Sequence, residues 1–381
     1  MTPTSAIDMQ IDDFVARFGE EPGYLDFAKA GPVGSAVRDE EMALSSLLGR
    51  ARFGTLATLE EQDQRVRDAV SAIIGLAPNH IVFQPNTSQG LMQAMFGMTG
   101  EVALSPAEFP SLPFAVSRAE DALKLVRPLW LETDHGRVTP GNLRGQLTPS
   151  TTAVAVSLVD FRTGHLVDLD GIRQVIGDRL LIVDAIQGFG VVDAPWQVAD
   201  VIVAGGQKWV RAGWGTGFLA MSDRALERIT PVLSGFSATE GGLTPLDEVP
   251  PPAAGVGAFE ITNPDPIAQG RLAAALEELG RVGVPAVAAR LAEKTSRIID
   301  LADEFGILVS SSRDESERAG IVVLTPAEDQ LTVLNAALHN HGVTATTRQG
   351  SVRLSPHVTT SEETFAMLRA SLMSFATAIT V

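Results

Sequence analysis

Val201-Ile202-Val203-Ala204-Gly205-Gly206-Gln207-Lys208-Trp209 is the stretch on which the fold turns. An apolar, β-branched run enters a glycine-rich turn and delivers one lysine. Twenty-four positions earlier (208 − 184), a second apolar run, Leu180-Leu181-Ile182-Val183, closes on Asp184. Runs this short and this uniformly apolar read as strands buried on both faces of a parallel sheet. Both charged residues then fall at the carboxyl ends of such strands, where open α/β sheets bind their ligands.

Working outward, strand and helix signals alternate. Residues 36–75 read as helical, His80–Phe83 as a strand, Leu91–Met98 as a helix and Glu101–Leu104 as a strand. Phe114–Leu123, Leu125–Leu131, Ala153–Val159, Leu166–Val175 and Gly217–Met221 continue the pattern. This order predicts an α/β chain with a mostly parallel sheet flanked by helices. The proline-rich, aperiodic stretch Gly241–Val256 reads as a loop. Beyond it come helices over Ala268–Val282 and Val284–Phe305, a strand Ile321–Leu324, a helix Asp329–His339, a strand Ser351–Leu354 and a final helix from Ser361. The expected division is an N-terminal arm over 1–24, a large domain over 25–267 and a smaller α+β C-terminal domain over 268–381.

Lys208 and Asp184 admit two readings. In one, Asp184 is a helix cap or turn residue and Lys208 a solvated loop lysine. In the other they serve pyridoxal 5′-phosphate (PLP), which needs an amine to bond its aldehyde and a carboxylate to keep its pyridine nitrogen protonated. A further stretch favours an anion nearby. After the strand ending at Phe83, Gln84-Pro85-Asn86-Thr87-Ser88-Gln89-Gly90 turns into a helix, an arrangement that points backbone N–H groups and hydroxyls at a phosphate.

Composition narrows the function classes. With 381 residues and 45% hydrophobic content, the chain can bury a sizeable core. A net charge of -17 and a pI near 4.8 argue against nucleic-acid and anionic-membrane surfaces. No apolar run approaches the roughly 18 residues of a membrane helix, and Met1–Phe14 lacks a signal-peptide pattern, so a cytoplasmic address is expected. The six histidines show no metal-ligand spacing, so no metal is expected. Cysteine is absent, which removes disulfides, thiolate ligands and cysteine nucleophiles.

Taken together, Asp184-Ala185-Ile186-Gln187-Gly188, Gly205-Gly206-Gln207-Lys208-Trp209 and Gly215-Thr216-Gly217-Phe218 resemble the class V branch of fold-type I PLP enzymes. That branch holds cysteine desulfurases, kynureninases, isopenicillin epimerase-like proteins and several C–S lyases. The similarity runs from about Tyr24 to the carboxyl terminus. It implies a Schiff base on Lys208, Asp184 on the pyridine nitrogen, and Asn86, Thr87 and Ser88 in the phosphate turn. Phe109, in Glu108-Phe109-Pro110-Ser111, would stack on the cofactor. Asp160 and Gln187 would lie near its phenolic oxygen, and Gln207 would reach its phosphate. Arg353, in Val352-Arg353-Leu354-Ser355-Pro356-His357, resembles the clamp for a substrate α-carboxylate, which a planar guanidinium matches bidentately. Phe259-Glu260-Ile261-Thr262-Asn263-Pro264 resembles a loop that crosses a dimer interface, so a homodimer with Asn263 reaching the neighbouring site is implied.

Departures from the pattern matter as much. Desulfuration through a persulfide requires a cysteine, and there is none. Kynureninases place a tyrosine directly before the lysine; Gln207 stands there and cannot act as a general acid. Asp160 and His357 are candidates for additional proton transfer, and Lys29, Leu112, Phe236 and the loop over 241–256 for the substrate pocket. The resulting expectation is a class V aminotransferase-like PLP enzyme acting on an α-amino acid, with a β-eliminating C–S lyase or kynureninase-like hydrolase as the alternative. A non-catalytic PLP-fold binding protein is a second alternative, disfavoured by the joint presence of Asp184, Lys208 and Arg353.

Overall fold

The computed structural model describes residues 10–50, 52–241, 247–348 and 350–380. Residues 1–9 of the expected N-terminal arm and 242–246 of the expected loop lie outside the described residues. The larger sheet has seven strands in the order β1-β7-β6-β5-β4-β2-β3. These are β1 (Ile81–Phe83), β2 (Gly100–Leu104), β3 (Val126–Trp130), β4 (Thr151–Ser157), β5 (Leu180–Asp184), β6 (Val201–Gly205) and β7 (Gly217–Met221). Strands β3, β2, β4, β5 and β6 are mutually parallel; β7 runs against both β6 and β1. β5, β6 and β7 are buried at every position, which explains their lack of apolar–polar alternation.

Register places the polar ends together. Ser157 at the end of β4 pairs with Asp184 at the end of β5, and Asp184 pairs with Val203 of β6. Lys208 follows three residues after Gly205 (208 − 205) in a turn tied back by Gly206 N–H to Thr216 O (2.8 Å) and Ala212 N–H to Gly206 O (2.8 Å). The predicted strands thus stand where expected, and the site gathers at the carboxyl edge of the sheet.

Helices differ from expectation mainly at their ends. The helical stretch expected over 36–75 is two helices, Ser35–Arg50 and Thr55–Ile74, with Gly54 in the left-handed region between them (φ 84°). The helix expected from Leu91 starts at Thr87, because the Asn86 side chain accepts a hydrogen bond from Gln89 N–H (2.9 Å) and caps it. Apolar periodicity cannot reveal a polar first turn.

A second, three-stranded sheet has the order β8-β10-β9, with β8 (Val322–Leu324), β9 (Thr346–Arg348) and β10 (Ser351–Leu354) all antiparallel. Helices Val284–Glu304, Leu331–Asn340 and Glu362–Thr380 cover it around Ile298, Leu334, Leu354, Leu368 and Phe375. Helix Pro266–Val282, expected with the smaller unit, packs on helices Ser35–Arg50 and Thr55–Ile74 and shares the core of the large sheet through Ala268, Leu272, Ala275 and Leu279. Its small residues permit that close approach. Residues 23–31 run between the two sheets, with Tyr24 bridging Thr344, Asp26 bridging Ser355, and Gly31 N–H bonding Gln207 O (2.8 Å). Among the described residues no helix is long and apolar enough to cross a membrane.

Candidate active site

Asp184 is 1% exposed, and its two oxygens differ. Oδ1 accepts Ile186 N–H at 3.1 Å; Oδ2 is buried with no hydrogen-bond partner. Burial pushes its pKa up to about 6, against the lowering effect of the Ile186 bond and of the Lys208 charge. Lys208 is 8% exposed and its ammonium lies 5.4 Å from the centroid of the Phe109 ring. Burial, opposed by Asp184 and assisted by Arg353 and Arg348, pushes its pKa down to about 8. A buried lysine so placed gives up its proton far more readily than a free one, which favours its use as a nucleophile and a base.

The smaller sheet contributes cations to the same space. Arg353 on β10 is 3% exposed; Nη1 donates to Phe161 O (3.1 Å), and Nη2 to Asp26 Oδ1 (3.4 Å) and Thr346 Oγ1 (3.3 Å). Its Nε is buried without a partner. Phe161 meets Phe109 edge-on at 5.1 Å and 89°, so the two rings lie between Arg353, which bonds Phe161 O, and Lys208, which lies near Phe109. At the other end, glycine at 205 keeps the turn open: a Cβ there would stand 2.4 Å from Gln207 Oε1 and 3.2 Å from Thr87 Oγ1. Thr87 Oγ1, at the amino end of its helix, is also buried without a partner.

Residues 32–381 match the family described as aminotransferase class-V. The chain belongs to the class-V aminotransferase family. A curated relative, the probable hercynylcysteine sulfoxide lyase of Mycobacterium tuberculosis (strain CDC 1551 / Oshkosh), is 29% identical over 271 residues, which cover 69% of this chain and 64% of that protein. The class-V fold recurs in solved structures. A mutant of C-DES with glycine covalently linked to its PLP cofactor superposes with a TM-score of 0.83 at 18% identity, covering 96% of this chain and 98% of the other. The complex of the cystine C–S lyase C-DES with its product cysteine persulfide gives 0.82 at 20% identity, covering 92% and 97%. An apo cysteine desulfurase from Thermococcus onnurineus NA1 gives 0.81 at 20% identity, covering 91% and 93%.

PLP is the cofactor of this class-V enzyme, and the residues present fit it. Buried polar groups in native proteins are almost always bonded, so several unpaired ones gathered in one place fit a bound ligand better than any one alone. Asp184 Oδ2, Thr87 Oγ1, Ser157 Oγ, Arg353 Nε and Arg348 Nε are all buried without partners, and all belong to the carboxyl edge of the large sheet or the face of the small sheet opposite it. An acceptor, two hydroxyls and cations match a protonated pyridine, a phosphate and carboxylates.

Other anticipated residues are occupied by the protein itself. Gln187 donates to Ala28 O (2.9 Å) and accepts from Trp209 Nε1 (2.9 Å), bracing the turn behind Lys208. Asp160 accepts from Arg162 N–H (2.6 Å), Thr163 N–H (3.1 Å) and the Arg162 guanidinium (2.6 Å), closing its own turn. Asn86 is the helix cap already described, and the hydroxyl of exposed Ser88 is hydrogen-bonded to that of Ser111 (2.6 Å). Gln207 is half-buried beside Gly205, with its amide near Thr87. Asn263 is exposed, with φ 49°, and lines a groove with Leu48, Leu56 and Phe83. His357 stacks on Phe27 (4.9 Å) and faces Arg211 and Thr359; burial and Arg211 hold its pKa well below the usual range, so it is neutral. Of the expected pocket residues, Leu112 is fully buried in the core, whereas Lys29 and Phe236 are exposed.

Three side chains were not anticipated. Glu108 accepts Ser157 N–H (3.1 Å), and burial, with the nearby charges of Asp160 and Asp184, pushes its pKa up to about 8. Asp26 is 3% exposed and holds both Arg353 and Thr346 (2.7 Å). Arg348 on β9 lies over the Phe161 ring, 4.6 Å from its centroid. Glu108 had a signal in its position directly before Phe109; the other two depend on pairing between distant segments.

Proposed function

We propose that this class-V enzyme is a lyase that releases a β-substituent, of the carbon–sulfur type, from an α-amino acid. The observation that carries the reading is the buried amine Lys208, whose pKa burial pushes down to about 8, with the charges of Asp184 and Arg353 acting on it. Arg353 takes the α-carboxylate and orients the amino acid. PLP, when bound, supplies an electron sink for charge developing at the α-carbon. Lys208 removes the α-proton as general base. Asp184 accepts a hydrogen bond through Oδ2 and keeps its partner protonated. Phe109 and Phe161 wall the space and exclude water. The relation to a sulfoxide lyase favours loss of the β-substituent over transamination, which shares every step as far as proton removal.

The test is the product. Incubation with S-substituted cysteines and their sulfoxides is expected to give pyruvate and ammonia in equal amounts, with release of the sulfur fragment. A keto acid that keeps its β-substituent, formed only with an amino acceptor, would make the enzyme a transaminase instead. The same reading includes a homodimer. Leu48 (43% exposed) and Leu56 (66%) leave apolar surface in the Asn263 groove of about 530 Å³, and a second copy seated there would bury it. Light scattering is expected to give twice the chain mass; a monomer would remove Asn263 from the site.

A further inference from the structure

The face of the small sheet that presents Arg353 also presents a second guanidinium. Arg348 pairs with Ser351 across the β9–β10 ladder, and Arg353 pairs with Thr346, so the two arginines are diagonal neighbours on one face. Such neighbours are based roughly 7–8 Å apart. Arg348 is half-buried and its Nε is buried without a partner. Among the described residues its guanidinium makes no hydrogen bond or ion pair, although the charges acting on it include Asp160 and Asp26. Asp160 accepts from Arg162 through both oxygens, and Asp26 accepts from Arg353 and Thr346 through Oδ1. Only the face of Phe161 holds Arg348, and stacking leaves the planar fork of N–H donors free. A third cation beside Arg353 and Lys208 adds repulsion that Asp26 and Asp160 offset only at a distance, since neither makes a hydrogen bond or ion pair with Arg348.

We propose that Arg348 forms a second anion subsite, so that the substrate is an amino acid whose side chain carries its own oxyanion: a carboxylate, sulfinate or sulfonate close to the β-carbon. This rests on the reading of the site as one for α-amino acids. Arg353 takes the α-carboxylate, and Arg348, on the same face of the small sheet, takes the side-chain acid. Neutral side chains leave Arg348 unpaired and bind less well.

The test is equilibrium binding to the PLP-loaded enzyme, read from the change in its visible band. Aspartate is compared with asparagine, and cysteine sulfinate with S-methylcysteine. Acidic ligands are expected to bind about 10- to 100-fold more tightly than their neutral partners, the worth of one charge-assisted hydrogen-bonded pair. Arg348→Gln should bring that ratio close to one, through a loss confined mainly to the acidic ligands, and Arg348→Lys should restore part of it. Equal binding of acidic and neutral ligands would overturn the proposal, as would an Arg348→Gln loss shared by both, which would mean that Arg348 only props Phe161. If no amino acid perturbs the band, the amino-acid reading of the site falls, and this subsite falls with it.

Discussion

Asp184 and Asp200 are both buried aspartates, 1% and 4% exposed, at opposite ends of neighbouring strands, and they live in opposite circumstances. Asp200, just before β6, is saturated. It accepts Leu181 N–H (2.8 Å), Arg173 Nη2 (2.5 Å), Ser222 Oγ (3.0 Å) and the fork of Arg224 (2.7 and 3.0 Å). Asp184, at the end of β5, holds one backbone N–H and leaves an oxygen with nothing. The amino-terminal edge of the sheet is finished by its own arginines. The carboxyl edge is left incomplete by the same chain, and an incomplete buried carboxylate is a standing cost unless a ligand completes it. That contrast, more than either residue alone, separates scaffold from site.

The largest effect comes from removing the amine that the incomplete edge presents. Lys208→Ala is expected to lose about 10⁴-fold or more in rate, since general base catalysis alone is worth about 10²–10⁴-fold and covalent attachment of the cofactor is lost as well. In the unaltered protein, borohydride should bleach the yellow colour and leave the cofactor mass on Lys208. A reduced cofactor found on any other lysine would break the assignment.

Next in size is a crossed pair of aspartate variants. Asp200→Asn strands two arginines and is expected to cost about 3–5 kcal/mol of stability, the usual result of breaking a buried pair. Asp184→Asn removes an unsatisfied buried charge and is expected to leave the cofactor-free protein at least as stable as before, while abolishing turnover. Chemical denaturation of both variants without PLP decides the matter. If Asp184→Asn unfolds as readily as Asp200→Asn, the two edges do not differ and Asp184 is another structural aspartate.

Arg353→Ala follows, and its effect is read on substrate binding. KM for α-amino acids is expected to rise about 10- to 100-fold, the loss of one charge-assisted pair. KM for the matching amines without a carboxylate should be unchanged. An unchanged KM for the amino acids would leave Arg353 as a partner for Asp26 alone.

How far this contrast could be read in advance follows from locality. Strands β5 and β6 announce themselves by apolar runs, and their terminal Asp184 and Lys208 inherit their positions from the strands. The strand, turn and helix around Asn86 were equally legible as a sequence of elements. What could not be read is competition for hydrogen bonds. Asn86 is spent on capping its helix, Asp160 on its turn, and Gln187 on Ala28 and Trp209, because the backbone groups and the indole that claim them lie close by once the chain is folded. The reverse holds for Arg348 and Asp26, which meet the site only through pairing of β9 with β10 and threading of residues 23–31 between the two sheets. A single alternating Thr-Thr-Arg triplet carries no such information.

The smallest effect tests whether the incomplete edge stores a proton. Glu108 bonds Ser157, whose strand neighbour is Asp184, and burial lifts its pKa from an unfolded value near 4.5 to about 8. Between those limits the unfolded chain has lost the proton while the folded chain keeps it. More protons bound to the folded state means that stability falls as pH rises across this window. Below about pH 4.5 the group is neutral in both states and costs nothing; above about pH 8 the folded protein carries the full cost of a buried anion near Asp184 and Asp160. Glu108→Gln preserves the shape and removes the titration. Its melting temperature without PLP should therefore match the unaltered protein at pH 4.5 and exceed it by about 1–3 °C at pH 8.5. For Asp200, whose oxygens are filled by arginines, the analogous Asn variant should be destabilised across the same pH range. A Glu108→Gln protein that is no more stable at pH 8.5 than at pH 4.5, relative to its parent, would show that Glu108 is ionised in the folded state, and the carboxyl edge would then hold two adjacent carboxylate charges instead of one charge and one proton.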